Sequence, residues 1–471
     1  MNELLCNSAS GMARAIREKK VSSAELIQAH LKRIEGVNPK LNAIVQLPAE
    51  RVMAEARAAD DSLARGENKG PLHGVPVTFK DAIETAGIIS TGGTLGRRNF
   101  VPLQDAEVVK RLRAAGAIVL GKTNCPEFGW AWESDNLIYG HTNNPYDLSL
   151  SPGGSSGGES ALIAAGGSPL GFGSDAGGSV RFPANCCGLA GIKPTSGRIP
   201  RTGHFPGPGG TLDALWQIGP LARSVEDLEL ALKIVSGVDG HDPAIVPAPL
   251  GESSTVDVKK LRVAFHTDNG IASPEPEVAE AVRKAASALS EAGAIIEEAL
   301  PPGIGETFEI YRGLFCADGG AGLKALIELA GTREIHPLLQ QALEIQQQHG
   351  MSMADYGVLV ARWDSFRSAM LRFMENYDAI LSPVCSFAGM VHGSTYKRLP
   401  SFSYTMTHNL TGWPAAVVRV ATYRTVHGAA NSDEGLPIGV QVAARPWQEH
   451  VALAIVRQLE KALGGWQAPA I

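Results

Sequence analysis

Helix and strand signals alternate through nearly the whole chain, and this alternation limits most strongly what it can fold into. The stretch DAEVVKRLRAAGAIVLGKTN (105–124) reads as a helix stopped by Gly116 and followed by a strand from Ala117 to Leu120. ESALIAAGG, SPLGFGSD, SVEDLELALKIVSG, LRVAFH, EVAEAVRKAASALSEAGAIIEE, YDAILSP and LPIGVQVAA continue the pattern, so the class is α/β. Ahead of them Ser22 and Glu25 form a capping box, and Ile27, Leu31 and Ile34 recur at helical spacing. Residues 1–64 are thus a helical lead-in. GVPVTFKD (74–81) sets Val75, Val77 and Phe79 on one face of a short strand and leaves Lys80 at its end, on the opposite face.

A chain of 471 residues, 44% of them hydrophobic, can bury a large core. The run at 237–257 is rich in Pro, Gly and Ser, but helices and strands of the same kind resume beyond it. It reads as a loop excursion on a single domain spanning 1–471. The net charge of −6, from 42 basic and 48 acidic residues without long runs, argues against a nucleic-acid or anionic-membrane surface. A small uncharged or apolar ligand fits better. The amino-terminal residues show no apolar core followed by a cleavage site, and no apolar stretch is long enough to span a bilayer, so the expected location is cytoplasmic. Cys6, Cys125, Cys186, Cys187, Cys316 and Cys385 lack paired C-x-x-C spacing and, in a reducing compartment, are expected to be buried free thiols rather than a metal site.

Two Gly/Ser clusters lie close together, SPGGSSGGES (151–160) and SDAGGSVRFP (174–183). An isolated Gly/Ser hexamer is usually a flexible linker. These two instead flank a helix-like segment and a short strand in the densest α/β part of the chain. Glycines there let backbone approach backbone or ligand closely, and consecutive amides in a turn can point at one anion. Ser179, preceded by Asp175, Ala176, Gly177 and Gly178, is therefore suited to attack a carbonyl while the loop amides hold the developing oxyanion. Neither cluster has a histidine beside it in sequence to act as base.

The run SPGGSSGGESALIAAGGSPLGFGSDAGGSVRFPANCCGLAGIKPT (151–195) resembles the signature segment of the amidase signature hydrolases, and VPVTFKD resembles their lysine-bearing strand. Weaker similarity in HNLTGWPAAVV and GLPIGVQVAA extends the resemblance over most of the chain, with a signature core at about 65–235. It implies a large mixed β-sheet covered by helices on both faces, and a Ser-Ser-Lys triad without metal or organic cofactor. In that pattern Ser179 is the nucleophile, Ser155 the bridging serine on a cis peptide and Lys80 the base. Ala176, Gly177, Gly178 and Ser179 form the oxyanion loop, and Ser156, Asp175 and Arg181 support it. A lysine with an ordinary pKa of about 10.4 is a base at neutral pH only if burial or positive charge lowers that value.

Other patterns compete. GGSSG (153–157) satisfies the G-x-S-x-G nucleophile elbow with late histidines such as His427 or His450 as base, but YDLSLSP before it is a poor buried strand. SDN (134–136) and Ser394 with Lys397 are β-lactamase-like in reversed order. Within the family, the rival is the A subunit of a glutamine-dependent tRNA amidotransferase, which needs a partner and charged groups to hold glutamine. The segment CPEFGWAWESDNLIYGHTNNPYD instead offers Phe128, Trp130, Trp132 and Tyr139 to line an apolar pocket. The expected function is a stand-alone amidase, monomeric or homodimeric, that cleaves amide, carbamate or ester bonds of small apolar or aryl substrates through an acyl-enzyme.

Overall fold

The computed structural model describes residues 3–423 and 435–471. Eleven strands form one mixed sheet in the order Ile44–Gln46, Ile118–Thr123, Pro76–Lys80, Leu170–Asp175, Gln217–Ala222, Ala190–Lys193, Ala415–Tyr423, Leu436–Ala444, Ala379–Pro383, Arg262–Phe265 and Ile295–Glu298. The Lys80 strand lies parallel to Ile118–Thr123 on one side and to Leu170–Asp175 on the other. Strands from both sides of 237–257 share this sheet. That excursion is pinned where Arg201 pairs with Asp242 at 2.9 Å and Arg198 donates to the carbonyls of Ala248 and Pro249.

Alternation along the strands feeds separate cores on the two faces. Ala379 and Leu381 face one core while Ile380 faces the other, and Val418 and Val417 divide in the same way. The first face is covered by helices Ala9–Arg17, Glu107–Ala114, Val225–Val235, Pro276–Glu291 and Glu449–Leu463. On the opposite face, Arg181–Cys186, Thr307–Cys316, Met353–Phe373 and Ser403–Leu410 pack around one apolar cluster, and Ser23–Leu41 and Ala49–Ala64 around another. The capping box at Ser22 and Glu25 is present. No helix of the described residues is long and apolar enough to cross a membrane.

The helical block from Thr307 to Phe373 is absent from the sequence reading. Its longest helix hides its pattern, because Leu359, Trp363, Phe366 and Met370 are buried while Met353, Val358 and Leu371 are exposed on the same element.

Candidate active site

Val75, Val77 and Phe79 point into the first core, where Phe79 stacks on Phe172 at 5.8 Å, so Thr78 and Lys80 face the other side. There the entirely buried helix Gly157–Ala164 lies directly on the sheet, and its Glu159 accepts from Thr78 and Thr123. Gly173 permits this contact, since a Cβ at that position would come within 2.2 Å of Ser156 Oγ. The turn leading into the helix has a cis peptide between Gly154 and Ser155 and brings Ser155 over the end of the Lys80 strand. Lys80 Nζ lies 2.6 Å from Ser155 Oγ and 3.1 Å from Ser174 Oγ, donating to both as an ammonium. Burial lowers the Lys80 pKa to about 8, only partly opposed by Cys125 and Asp175.

The second cluster is held just as tightly. Ser156 donates its backbone N–H to the carbonyl of Ser179 at 3.2 Å and joins the two Gly/Ser segments. Asp175 Oδ1 accepts from the Gly178 amide at 2.7 Å and Oδ2 from the Val180 amide at 3.2 Å. The Arg181 guanidinium grips both carboxylate oxygens at 3.0 Å and reaches Gln441 and Asn409. Burial alone would push the Asp175 pKa up, but Arg181 and Asn409 outweigh it and hold the carboxylate well below its ordinary range.

The carbonyl of Gly177 is turned away by two donors, Trp132 Nε1 at 3.0 Å and Thr405 Oγ1 at 2.8 Å. Gly177 is enclosed there, because a Cβ would meet Tyr311 Oη at 2.5 Å. Of the four amides expected to serve an oxyanion, that of Gly178 is already committed to Asp175. Those of Ala176, Gly177 and Ser179 have no acceptor among the described residues.

Ser155, Ser174, Asp175, Ala176, Gly177 and Ser179 form one wall of a cavity of about 150 Å³. The rest of its lining is mainly apolar and includes Phe128, Trp130, Trp132, Leu212, Trp216, Tyr311 and Phe315. Trp130 packs against Phe315 at 5.0 Å and Trp132 stacks on Phe402 at 4.7 Å. Tyr139 does not belong to this lining. Asn136 accepts from the amides of Ile138 and Tyr139, turning the chain so that the Tyr139 hydroxyl meets Gln46 Nε2 at 3.0 Å. His450 lies beside Gly251, away from the cavity, and His427 lies outside the described residues.

Sequence reasoning missed His204, Trp216, Tyr311 and Phe315. The first two sit around the Gly- and Pro-rich stretch GHFPGPGG, whose composition gives only a loop signal, and the last two belong to the unread helical block.

A family model described as Amidase matches residues 25–453. The chain is 35% identical over 475 residues to an acylamidase of Rhodococcus erythropolis, covering 96% of this chain and 94% of the relative. It is 32% identical over 482 residues to the A subunit of the glutamyl-tRNA(Gln) amidotransferase of Chloroflexus aggregans, covering 97% and 96%. The solved structure of a 6-aminohexanoate cyclic dimer hydrolase with substrate superposes with a TM-score of 0.84 at 29% identity, covering 98% of each chain. The chain therefore belongs to the amidase family and is a hydrolase acting on the C–N bonds of amides.

Proposed function

We propose that this protein is a single-domain amidase that cleaves small apolar or aryl amides, and the corresponding carbamates and esters, through an acyl-enzyme on Ser179. The observation that carries this reading is a buried lysine 2.6 Å from Ser155 Oγ, at a mainly apolar, aromatic cavity that Ser179 also lines. At a pKa of about 8, about one Lys80 in ten is neutral at pH 7, against about one in 2,500 at the ordinary value of about 10.4. Burial thus supplies a usable base.

Neutral Lys80 takes the proton of Ser155 as Ser155 takes that of Ser179, and Ser179 Oγ bonds to the carbonyl carbon. The oxyanion accepts from the free amides of Ala176, Gly177 and Ser179, each such donor contributing about 3 kcal/mol to the barrier reduction. Collapse breaks the C–N bond, and the leaving nitrogen receives a proton from Ser155, which Lys80 replaces. Water then attacks the acyl carbon, passing a proton through Ser155 to Lys80, and the resulting intermediate collapses by breaking the bond to Ser179 Oγ, which recovers that proton through Ser155 as the acid departs. Asp175 and Arg181 hold the loop in shape.

Aryl groups suit the cavity because Phe128, Trp130, Trp216 and Phe315 offer apolar area, worth about 25 cal/mol per Å² buried. The one carboxylate in its wall, Asp175, is neutralised by Arg181. No lysine, arginine or glutamate lines it among the described residues to grip the charged end of glutamine.

The similarity to the amidotransferase component gives a second reading, in which the chain releases ammonia from glutamine for a partner. Turnover of a panel of anilides, aliphatic amides, carbamates, esters and glutamine by the isolated protein separates the two. The hydrolase reading expects anilides to lead and glutamine to be inert. Inactivity on every anilide and carbamate, with ammonia released from glutamine once an amidotransferase partner is added, establishes the second.

A further inference from the structure

The polar groups around Lys80 continue beyond Ser155. Ser174 Oγ, 3.1 Å from Lys80 Nζ, is also 2.9 Å from His204 Nε2, and His204 Nδ1 is 2.8 Å from the carbonyl oxygen of Pro206. A carbonyl oxygen can only accept, so the nitrogen facing Pro206 carries the imidazole hydrogen. In the neutral ring Nε2 is then an acceptor, and the Ser174 hydroxyl is its donor. With that hydrogen committed to His204, Ser174 can offer Lys80 only lone pairs. The neutral amine donates one N–H to Ser174, and its own lone pair faces no competing donor on that side. It is left free for the hydroxyl hydrogen of Ser155 at 2.6 Å. Every donor in the row Ser155, Lys80, Ser174, His204 points towards Pro206.

The ring is fixed in place, tilted against Trp216 at 4.8 Å, with the backbone of His204 bridged to Ile83. It also stays neutral. Burial and then the charge of Lys80 hold its pKa at about 3, with Lys122 and Arg201 acting in the same direction and the Pro206 carbonyl opposing. Cys125 and Asp175 oppose the lowering of the Lys80 pKa by burial.

Granting that Lys80 is the base, we propose that His204 is a positioning residue whose fixed tautomer, acting through Ser174, keeps the lysine lone pair aimed at Ser155. His204 takes no proton from substrate. Its work is to deprive Ser174 of the one hydrogen with which that serine could occupy the lone pair.

The test is a mutant cycle read as kcat on p-nitroacetanilide, with circular dichroism and thermal melting as controls for folding. His204→Leu frees the Ser174 hydroxyl to compete for the lysine and should lower kcat about tenfold to a hundredfold. Ser174→Ala removes the competitor, so adding His204→Leu to that background should cost less than about threefold. His204→Gln, whose amide oxygen can accept from Ser174, should keep kcat within about fivefold of wild type. If His204→Leu does not fold, His204→Phe, which keeps an aromatic ring against Trp216, replaces it in the cycle.

Equal losses in both backgrounds, or a loss in His204→Gln matching that in His204→Leu, would reduce His204 to packing and overturn the proposal. Lys80→Met separates this failure from a deeper one. If it retains wild-type kcat, the assignment of Lys80 as base is what falls; if it is inert while the cycle is additive, only the role of His204 falls.

Discussion

Lys80 ties the fold to a pH dependence that can be worked out in advance. Only the neutral amine can accept the Ser155 proton, so activity should follow the deprotonated fraction. With a pKa of about 8, that fraction is about 0.01 at pH 6 and about 0.9 at pH 9. Thus kcat/KM on p-nitroacetanilide should rise about ninetyfold over this range, with its midpoint near pH 8. Lys80→Met keeps the volume of the side chain without a base, and should lose about 10² to 10⁴ in kcat together with the ascending limb. Initial rates of p-nitroaniline release give the profile, and circular dichroism at each pH confirms an intact fold. A flat profile from pH 6 to 9 would refute the reasoning, as would an unchanged limb in Lys80→Met.

Other substitutions separate the parts of the site. Asp175→Asn leaves the Arg181 guanidinium buried without its counter-charge and should cost about 3–5 kcal/mol in urea unfolding, more than Asp175→Asn combined with Arg181→Met. Because the Asp175 carboxylate is held below its ordinary range, its stabilising contribution is complete at neutral pH and fades only as pH falls beneath that range. Gly177→Ala drives a methyl group towards Tyr311 and Trp132 and should lower kcat about 10²-fold by displacing the oxyanion amides, with little change in KM. Trp130→Ala should raise KM for large aryl amides more than for acetamide. Trp132→Ala should also lower kcat for every substrate, because that indole holds the Gly177 carbonyl.

The parts of the site legible in sequence are those fixed by local pattern. Period-2 alternation in GVPVTFKD puts Lys80 on the face away from Val75, Val77 and Phe79, and the structure keeps it there. The signature resemblance singles out Ser155 and Ser179, and both line one cavity wall, reached from a helix start and a strand end, whereas Ser174 beside Lys80 carried no signal of its own. What was not legible depends on long-range packing. His204 arrives from an irregular loop, and Tyr311 and Phe315 come from a helix more than a hundred residues beyond the signature. Tyr139 follows aromatic neighbours in sequence, yet the Asn136 side-chain cap and a hydrogen bond from Gln46 hold it away from the cavity, and no count of aromatics reveals that. The Gly178 amide is occupied because Asp175 folds back upon its own loop, which the Gly/Ser pattern does not reveal.

Covalent capture tests most directly the claim that Ser179 carries the acyl group. The protein is incubated with a slowly hydrolysed aryl carbamate, quenched in acid and digested, and fragmentation of the modified peptide locates the added mass. The expected result is one carbamoyl group on Ser179, phenol released in equal amount, and no adduct or turnover in a folded Ser179→Ala variant. A carbamoyl group on Ser155 or Ser156, or a Ser179→Ala variant that still hydrolyses amides at the wild-type rate, would contradict it.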